Sequence, residues 1–485
     1  MNLIKILENV SHIKQKDFNP EISFLTSNSN NVKKDSVFVC LKGANFDGHD
    51  FAKKAISAGA SVVVVEKDLH LSNQVLVKNT HEAYAKMCAN LYENPAKNLK
   101  FIGVTGTNGK TSVSKIIKDL LTKQGIKTGL IGTIQNEIGQ EVFKTNYTTP
   151  NALEFQQLIK KMSEKNCEYV VMEVSSHALV QHRIADTKFE IAIFTNLSQD
   201  HLDYHKTMNS YFEAKKLLFK RCKKAIICVD DSYGEQLIEQ IKCPKYSYAI
   251  ENKDANFIAK NFKVSCEGVE YILEHSSFKE NVYFKTPGIF SIYNSMAAFI
   301  CCKLLGFSPE KIAKSLKTSP PIKGRSEIIS TKNGFTIICD YAHSPDGLQN
   351  ILNSVNSYKK KRVVTLFGCG GDRDKTKRPI MGEIAARNSD FLIITSDNPR
   401  TEEPSKIIED IIVGVRKTKT PYVKIVNRKK AIFYAVKNAK KDDILILAGK
   451  GHETYQVIGK DKIDFDEREI VKEAFKELYS KNLKK

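Results

Sequence analysis

The run Gly103-Val104-Thr105-Gly106-Thr107-Asn108-Gly109-Lys110-Thr111-Ser112 leaves an apolar strand (Phe101, Ile102, Val104) and opens a helix. In that helix Val113, Ile116, Ile117, Leu120 and Leu121 recur at helical spacing. The Gly-Lys-Thr ending is that of a phosphate-binding loop. Glycines let backbone N–H groups close on a polyphosphate, the helix N-terminus adds positive potential, Lys110 can reach the terminal phosphates, and Thr111 can ligate Mg²⁺. The common form, Gly-x-x-x-x-Gly-Lys-Ser/Thr, would begin at Val104, and Gly103 lies one residue too far back. The run reads as a nucleoside triphosphate site on an irregular loop.

Glu173, within Val170-Val171-Met172-Glu173-Val174-Ser175-Ser176-His177, puts a charge inside an apolar strand, where it needs a counter-charge or a metal. Beside a phosphate loop the fitting partner is Mg²⁺, which takes carboxylate and phosphate oxygens. The segment Thr195-Asn196-Leu197-Ser198-Gln199-Asp200-His201-Leu202-Asp203-Tyr204-His205 follows another apolar strand and gathers two Asp and two His. Further on, the helical stretch 211–219 carries Lys215, which on composition alone is a solvated lysine.

The elements that must position these groups alternate between strand and helix. Residues 1–98 read as a small α/β domain, with strands at 36–41 and 61–66 and helices at 51–58 and 82–92. From 99 to 320, buried strands at 169–175, 191–196 and 225–229 alternate with amphipathic helices, as a parallel sheet with crossover helices requires. Lys317-Thr318-Ser319-Pro320-Pro321 marks a boundary. From 321 to 485 the alternation resumes, with strands at 336–340, 362–368, 391–395 and 443–448 and a helix at 404–416. This second series lacks a phosphate loop and so shapes a second substrate site. In open parallel sheets ligands bind past the carboxyl ends of the strands, where the polar clusters fall.

A chain of 485 residues exceeds what one core supports, so several domains are expected. Its formal charge of +20, from 75 basic and 55 acidic residues, is lysine spread over helix faces and gathered at Lys481, Lys484 and Lys485. That sign suits anionic small substrates, and no helix or strand shows the aromatic-studded basic surface of a nucleic-acid binder. The eleven cysteines include no Cys-x-x-Cys pair and no zinc spacing, and read as reduced, mostly buried thiols. Without a signal-peptide core or an apolar run long enough to span a bilayer, the expectation is a cytoplasmic protein with no membrane insertion.

In order along the chain, Gly-Thr-Asn-Gly-Lys-Thr, Met-Glu-Val-Ser-Ser-His, Asn-Leu-Ser-x-Asp-His-Leu-Asp and Tyr-Phe-x-Ala-Lys-x-x-Leu-Phe resemble the Mur ligases of bacterial cell-wall synthesis. The resemblance runs from about residue 25 to 470, and the longer glycine loop is that family's form. It implies an α/β protein of three domains: a UDP-binding domain over 1–98, a central P-loop ATPase with a parallel sheet over 99–320, and a Rossmann-like amino-acid-binding domain over 321–485. It also implies an ATP-dependent ligase that forms an acyl phosphate on the D-Glu carboxylate of UDP-N-acetylmuramoyl-L-alanyl-D-glutamate and joins an incoming amine to it. Its partners would be these small molecules, with no nucleic acid, and the enzyme a monomer.

Carried over residue by residue, the resemblance gives ATP to Gly106, Thr107, Asn108, Gly109, Lys110, Thr111, Ser112, Asn294 and Arg325. Mg²⁺ falls to Thr111, Glu173, His201 and Lys215, the last as a CO₂-derived carbamate, which reverses the solvated reading of that lysine. Lys110, Lys215, His201 and His343 are the catalytic group. The muramoyl dipeptide falls to Ser29, Thr148, Thr149, Ser175, Gln181 and Arg183. Arg373, Asp397, Asn398, Pro399, Arg400, Gly449 and Glu453 match a pocket for meso-diaminopimelate, whose second carboxylate a bidentate arginine can distinguish from lysine. Two positions depart from the family pattern: Asn28-Ser29-Asn30 stands where Asp-Ser-Arg is usual, and Ser291 replaces an asparagine. A folylpolyglutamate synthase-like ligase would share the loop and the modified lysine, but leaves Thr148-Thr149-Pro150 and Asp397 to Arg400 without a use.

Overall fold

Runs such as Val62-Val63-Val64-Val65 are buried on both faces, as parallel strands covered by helices are, and such strands build three large sheets. The computed structural model describes residues 1–14, 18–43, 46–184 and 186–479, so the C-terminal lysines Lys481, Lys484 and Lys485 lie outside the described residues. The first sheet runs His12–Lys14, Gln74–Val77, Ala60–Val65, Ser36–Val39, Phe24–Thr26. His12–Lys14 is antiparallel to its neighbour and the others are parallel.

The second sheet has eleven strands. Its parallel centre is Lys245–Ala249, Cys222–Cys228, Phe189–Phe194, Lys100–Thr105, Tyr169–Glu173, Thr128–Ile131. The expected parallel alternation over 99–320 therefore holds for the centre and not for the margins. At one margin Phe257–Ser265, Gly268–His275 and Phe278–Phe284 form an antiparallel meander, and at the other Asn136–Ile138 and Glu141–Phe143 form a hairpin. The physical reason is short connection: Gly268, at φ +144°, closes one turn in place of a crossover helix. Helix Lys110–Lys123 packs Ile116, Ile117 and Leu120 on Ile102, Val104 and Val171 of the centre.

The third sheet runs Glu327–Ser330, Thr336–Asp340, Ile444–Ala448, Val363–Phe367, Phe391–Thr395, Tyr422–Ile425, with the first strand antiparallel. The chain leaves Thr336–Asp340 and re-enters the sheet beyond Ile444–Ala448. That break in strand order opens a crevice at the carboxyl ends, where the segments after Asp340, Phe367, Thr395 and Ala448 emerge together. Eight of the eleven cysteines are buried, and all are free thiols.

Candidate functional site

Strand Lys100–Thr105 ends at the phosphate loop, and two residues there need glycine. Gly106 has φ +145° and a Cβ would lie 1.9 Å from Thr195 Oγ1; Gly109 has φ +85° and a Cβ would lie 2.6 Å from Asn294 Oδ1. The loop is thus pressed against the segment after Phe189–Phe194 and against helix Ile289–Leu304. Thr107 N–H donates to Asn196 O (2.9 Å) and Asn108 N–H to Asn196 Oδ1 (2.9 Å). Lys110 Nζ folds back on its own loop, donating to Gly106 O (2.9 Å) and Thr107 O (2.8 Å). Asn108, Gly109, Ser112, Asn294 and Arg325 line a pocket of about 340 Å³ with Tyr248 and Tyr293.

Lys215 is 1% exposed, which corrects the solvated reading that composition alone gives. Helix Met208–Lys216 tucks it under the loop, where its Nζ donates to the same Gly106 oxygen at 2.8 Å. Two amines on one carbonyl repel, and burial penalises the charged form further. Burial first, then Lys110, hold the Lys215 pKa well below the ordinary lysine value. Burial also lowers Lys110, although Glu173 and Asp200 pull it back.

Glu173 ends its strand 1% exposed, yet fully engaged. Thr111 Oγ1 and Thr133 Oγ1 each donate to Oε2 at 2.9 Å, and Thr133 N–H donates to Oε1 at 2.7 Å. Thr133 is a partner that sequence reasoning missed, signalled only by its place just past the strand Thr128–Ile131. Thr148 Oγ1 meets Thr133 Oγ1 (3.0 Å), and Thr149 Oγ1 donates to Glu173 O (2.9 Å) and meets Ser175 Oγ (3.2 Å). Arg183 donates from Nε and Nη2 to Gln181 Oε1 and from Nη1 to Thr149 O (3.0 Å). Thr148, Thr149, Ser175, Gln181 and Arg183 thus form one hydrogen-bonded strip beside Glu173. Ser29 stands apart from it, on a turn past Phe24–Thr26 whose cap, Asn28 Oδ1, accepts Asn30 N–H at 3.0 Å.

His201, at φ +54°, lies half-exposed with its ring 5.0 Å from His177 and its Nε2 3.5 Å from Asp200. Burial holds His177 and His205 down to about 4, so both are neutral imidazoles at neutral pH. Asp200 is lowered despite burial, by His201 and His343. His343 is held by its Nδ1 contact to Tyr341 O (2.7 Å). The C-terminal domain touches the loop directly: Arg325 Nη2 donates to Thr111 Oγ1 (3.1 Å), and Asp346 Oδ2 accepts from Asn108 Nδ2 (2.5 Å) and Ser198 Oγ (3.0 Å). Asp346 lies six residues past the end of strand Thr336–Asp340 and has no role in the sequence reading.

Across a cleft of about 940 Å³, His177, Asp200 and His201 face Arg373, Asp397, Asn398, Arg400, Gly449 and Glu453. Two loops there are laced together: Gly371 N–H donates to Asn398 O (2.9 Å), and Arg400 Nη1 returns to Gly371 O (2.8 Å). Pro399 closes against Gly371, where any Cβ would lie 1.9 Å from Pro399 O. Arg400, at φ +50°, is held by its N–H to Val457 O at 3.1 Å. Arg373 is exposed and donates to Asp372 O (3.0 Å). Gly449, at φ +110°, leaves room for Asp397 Oδ2, which is buried and without a hydrogen-bond partner among the described residues. Behind these loops lie two cations that sequence reasoning missed, Lys450 and Arg428. Arg428 pairs with Glu467 at 2.8 Å, both fully buried, and reaches Ala448 O at 2.8 Å.

Residues 21–102 match the profile described as Mur ligase family, catalytic domain; residues 104–302 match the Mur ligase middle domain; residues 324–451 match Mur ligase, glutamate ligase domain. The chain is 45% identical over 481 residues, 98% of its length and 99% of the relative's, to the UDP-N-acetylmuramoyl-L-alanyl-D-glutamate--2,6-diaminopimelate ligase of Caldanaerobacter subterraneus subsp. tengcongensis. It is also 45% identical to UDP-N-acetylmuramoyl-L-alanyl-D-glutamate--2,6-diaminopimelate ligase 1 of Clostridium acetobutylicum, over 99% of this chain and 100% of that one. A solved structure titled as a UDP-N-acetylmuramoyl-L-alanyl-D-glutamate--2,6-diaminopimelate ligase superposes with a TM-score of 0.69 at 30% identity, covering 94% of this chain and 95% of its own. With near-complete coverage at that identity, and Glu173 and Lys215 both contacting the phosphate loop at the carboxyl end of strand Lys100–Thr105, the chain belongs to the Mur ligase family.

Proposed function

We propose that this ligase uses ATP to add meso-diaminopimelate to the D-Glu carboxylate of UDP-N-acetylmuramoyl-L-alanyl-D-glutamate, in the cytoplasm, as a monomer. The observation that carries the reading is a cleft of about 940 Å³ with His177, Asp200 and His201 on one wall and the Arg373, Asp397, Arg400 and Glu453 loops on the other. An amine held on the second wall faces an acyl group activated on the first.

The D-Glu carboxylate attacks the terminal phosphorus of ATP, an O–P bond forms, and the P–O bond to ADP breaks. The amine then attacks the acyl carbon, loses its proton, and the C–O bond to phosphate breaks. The protein's share is positioning and charge neutralisation. Lys110 exchanges its two backbone carbonyls for phosphate oxygens, with Arg325 beside it on Thr111. Arg183, tied to Gln181 and Thr149, offers its cation to the anionic dipeptide, with Ser175 and Thr148 alongside. Ser29 is assigned to the uridine end. His201 and His343 complete the cleft at the reacting carbonyl, and Asn294 faces the adenine side.

Among the described residues no three imidazole, thiol or carboxylate groups converge into a ready cage. The hydroxyl of Thr111 and the carboxylate of Glu173 are hard oxygen donors that fit a cation keeping phosphate and water in its shell, with His201 at the cleft side. Mg²⁺ held there would neutralise the charge that builds on the transferring phosphoryl group. Lys215 fits a second such role, because a neutral amine is what CO₂ requires: the N–C bond forms, the nitrogen proton leaves, and a carboxylate results. The test is product analysis with meso-diaminopimelate, lysine and ornithine offered separately with the UDP-dipeptide and ATP. A preference for lysine or ornithine overturns the substrate assignment.

A further inference from the structure

We propose that Arg378 is a positioning residue for Arg400: touching no substrate itself, it fixes the loop frame from which Arg400 reaches the far carboxylate of the incoming amino acid. The proposal rests on the reading of the C-terminal cleft as the site of a diamino dicarboxylate. Arg378 lies in the first turn of helix Lys377–Arg387, which packs on helix Pro404–Val415. The two helices approach at glycines: a Cβ at Gly382 would lie 2.1 Å from Ile411 O, and one at Gly414 would lie 1.8 Å from Pro379 O. The Arg378 side chain is fully buried against the loops that follow strands Val363–Phe367 and Phe391–Thr395, and it stays out of the cleft lining. Nη2 and Nη1 donate as a fork to Glu402 Oε1 (2.8 Å) and Oε2 (3.0 Å). Nη1 also donates to Asp410 Oδ2 (2.9 Å), and Nη2 to Gly370 O (3.2 Å).

These bonds hold both loops at once. Glu402 Oε1 also accepts Asp372 N–H at 2.6 Å, and Thr401 donates back to the Asp372 carboxylate from its N–H (3.2 Å) and its Oγ1 (2.8 Å). Gly370 O, held by Arg378, and Gly371 O, held by Arg400 Nη1 at 2.8 Å, are carbonyls of successive residues. Arg400 is therefore fixed at both ends. Its backbone lies two residues before Glu402, and its guanidinium rests on the carbonyl next to the one that Arg378 holds. A carboxylate pairs well with a guanidinium only along the fork directions, so the aim of Arg400 depends on that frame. Arg378 Nε is buried without a hydrogen-bond partner among the described residues. A buried unpaired donor costs stability, and a cost of that kind is expected where geometry rather than stability is being served. A lysine at this position would keep the charge but could not present a planar fork to Glu402 while reaching Gly370 O and Asp410.

The experiment measures kcat, and KM for ATP, the UDP-dipeptide and meso-diaminopimelate, in the full-length enzyme, in Arg378→Lys, in Arg400→Lys and in the double variant. Arg378→Lys is expected to raise KM for meso-diaminopimelate by about 10- to 100-fold, the range for a charge-assisted pair that loses its aim. KM for ATP and for the UDP-dipeptide should stay at the wild-type values. Added to Arg400→Lys, the same substitution should raise KM no further, because the side chain it positions is gone. Glu402→Gln removes one acceptor oxygen of the fork and should give the same pair of results, which keeps the question answerable if Arg378→Lys does not fold. Two outcomes overturn the proposal. One is a loss of activity that tracks loss of folded protein with KM for meso-diaminopimelate unchanged, which would make Arg378 a residue of the fold alone; the other is full additivity with Arg400→Lys. Failure of the underlying substrate reading is seen separately, as a wild-type enzyme that favours lysine.

Discussion

Replacing Lys215 by methionine separates what this side chain does for the fold from what it does for the reaction. The residue is buried with its stem packed under the phosphate loop, and methionine keeps most of that volume while deleting the amine. The amine is 2.8 Å from Gly106 O, the oxygen that Lys110 also occupies, and its pKa is held well below that of a free lysine. The unfolded chain therefore binds more protons than the folded one, and stability rises with pH from the depressed value up to the ordinary lysine range. Wild type carries that penalty at neutral pH. The substitution removes it and loses one hydrogen bond worth about 1 kcal/mol. Without Mg²⁺ or bicarbonate, Lys215→Met should melt no lower than wild type near neutrality, and should lack the rise in melting temperature that wild type shows toward alkaline pH. Activity should go the other way. A fixed charge facing the transferring phosphoryl group is worth about 10²- to 10³-fold in rate, so phosphate release at saturating substrates should fall by that factor and stay low in added bicarbonate. Near-wild-type turnover in a folded variant would refute the carbamate role. A loss of activity that merely tracks loss of folded protein would refute the separation of roles.

Glu173→Gln retains the shape of the cluster but leaves Thr111 and Thr133 facing an amide, and should lower kcat by about 10²-fold with lesser effect on KM for the amino acid, read by steady-state phosphate release. Gly109→Ala places a methyl 2.6 Å from Asn294 Oδ1 at φ +85°, and should weaken nucleotide binding in titration calorimetry while costing about 1–3 kcal/mol in urea unfolding. Glu467→Gln strands the buried Arg428 charge and should destabilise the C-terminal domain by about 3–5 kcal/mol; a midpoint shift below 1 kcal/mol would show that the pair contributes little. Arg378 holds the Glu402 carboxyl down to about 2, so its stabilising effect is complete above the ordinary carboxylate range and is lost as pH falls toward 2. The melting difference between wild type and Glu402→Gln should therefore shrink steadily over that acid window.

The parallel centres of the sheets were legible because their strands are nearly continuous apolar runs, and the strands Thr336–Asp340 and Phe391–Thr395 fall at the residues that periodicity indicates. The meander over Phe257–Phe284 was not, because its strands expose alternate polar positions and its turns carry no strong signal beyond Gly268. Glu173 could be singled out since a charge in an apolar strand is conspicuous. Lys215 could not be found from composition, because a lysine on an amphipathic helix gives no sign of being buried until the opposing loop is in place; only the family resemblance marked it. Thr133, Asp346 and Lys450 escaped for a related reason. Each is an ordinary residue type with a partner 40 or more residues away in sequence, Glu173 for Thr133, Ser198 for Asp346 and Asn398 for Lys450, and no local pattern encodes that meeting.

The contacts from Asp346 to Asn108 and Ser198, and from Arg325 to Thr111, tie the C-terminal domain to the loop that would receive the nucleotide. These are the same side chains and backbone segment that a triphosphate would rearrange, so occupancy of the loop and the relative placement of the two domains form one linked equilibrium. Linkage is reciprocal: whatever factor the domain contact takes from nucleotide affinity, the nucleotide takes from the contact. An amino acid held in the crevice of the third sheet would enter the same balance from its far side, and the affinity for one substrate would then report how much of the other is bound.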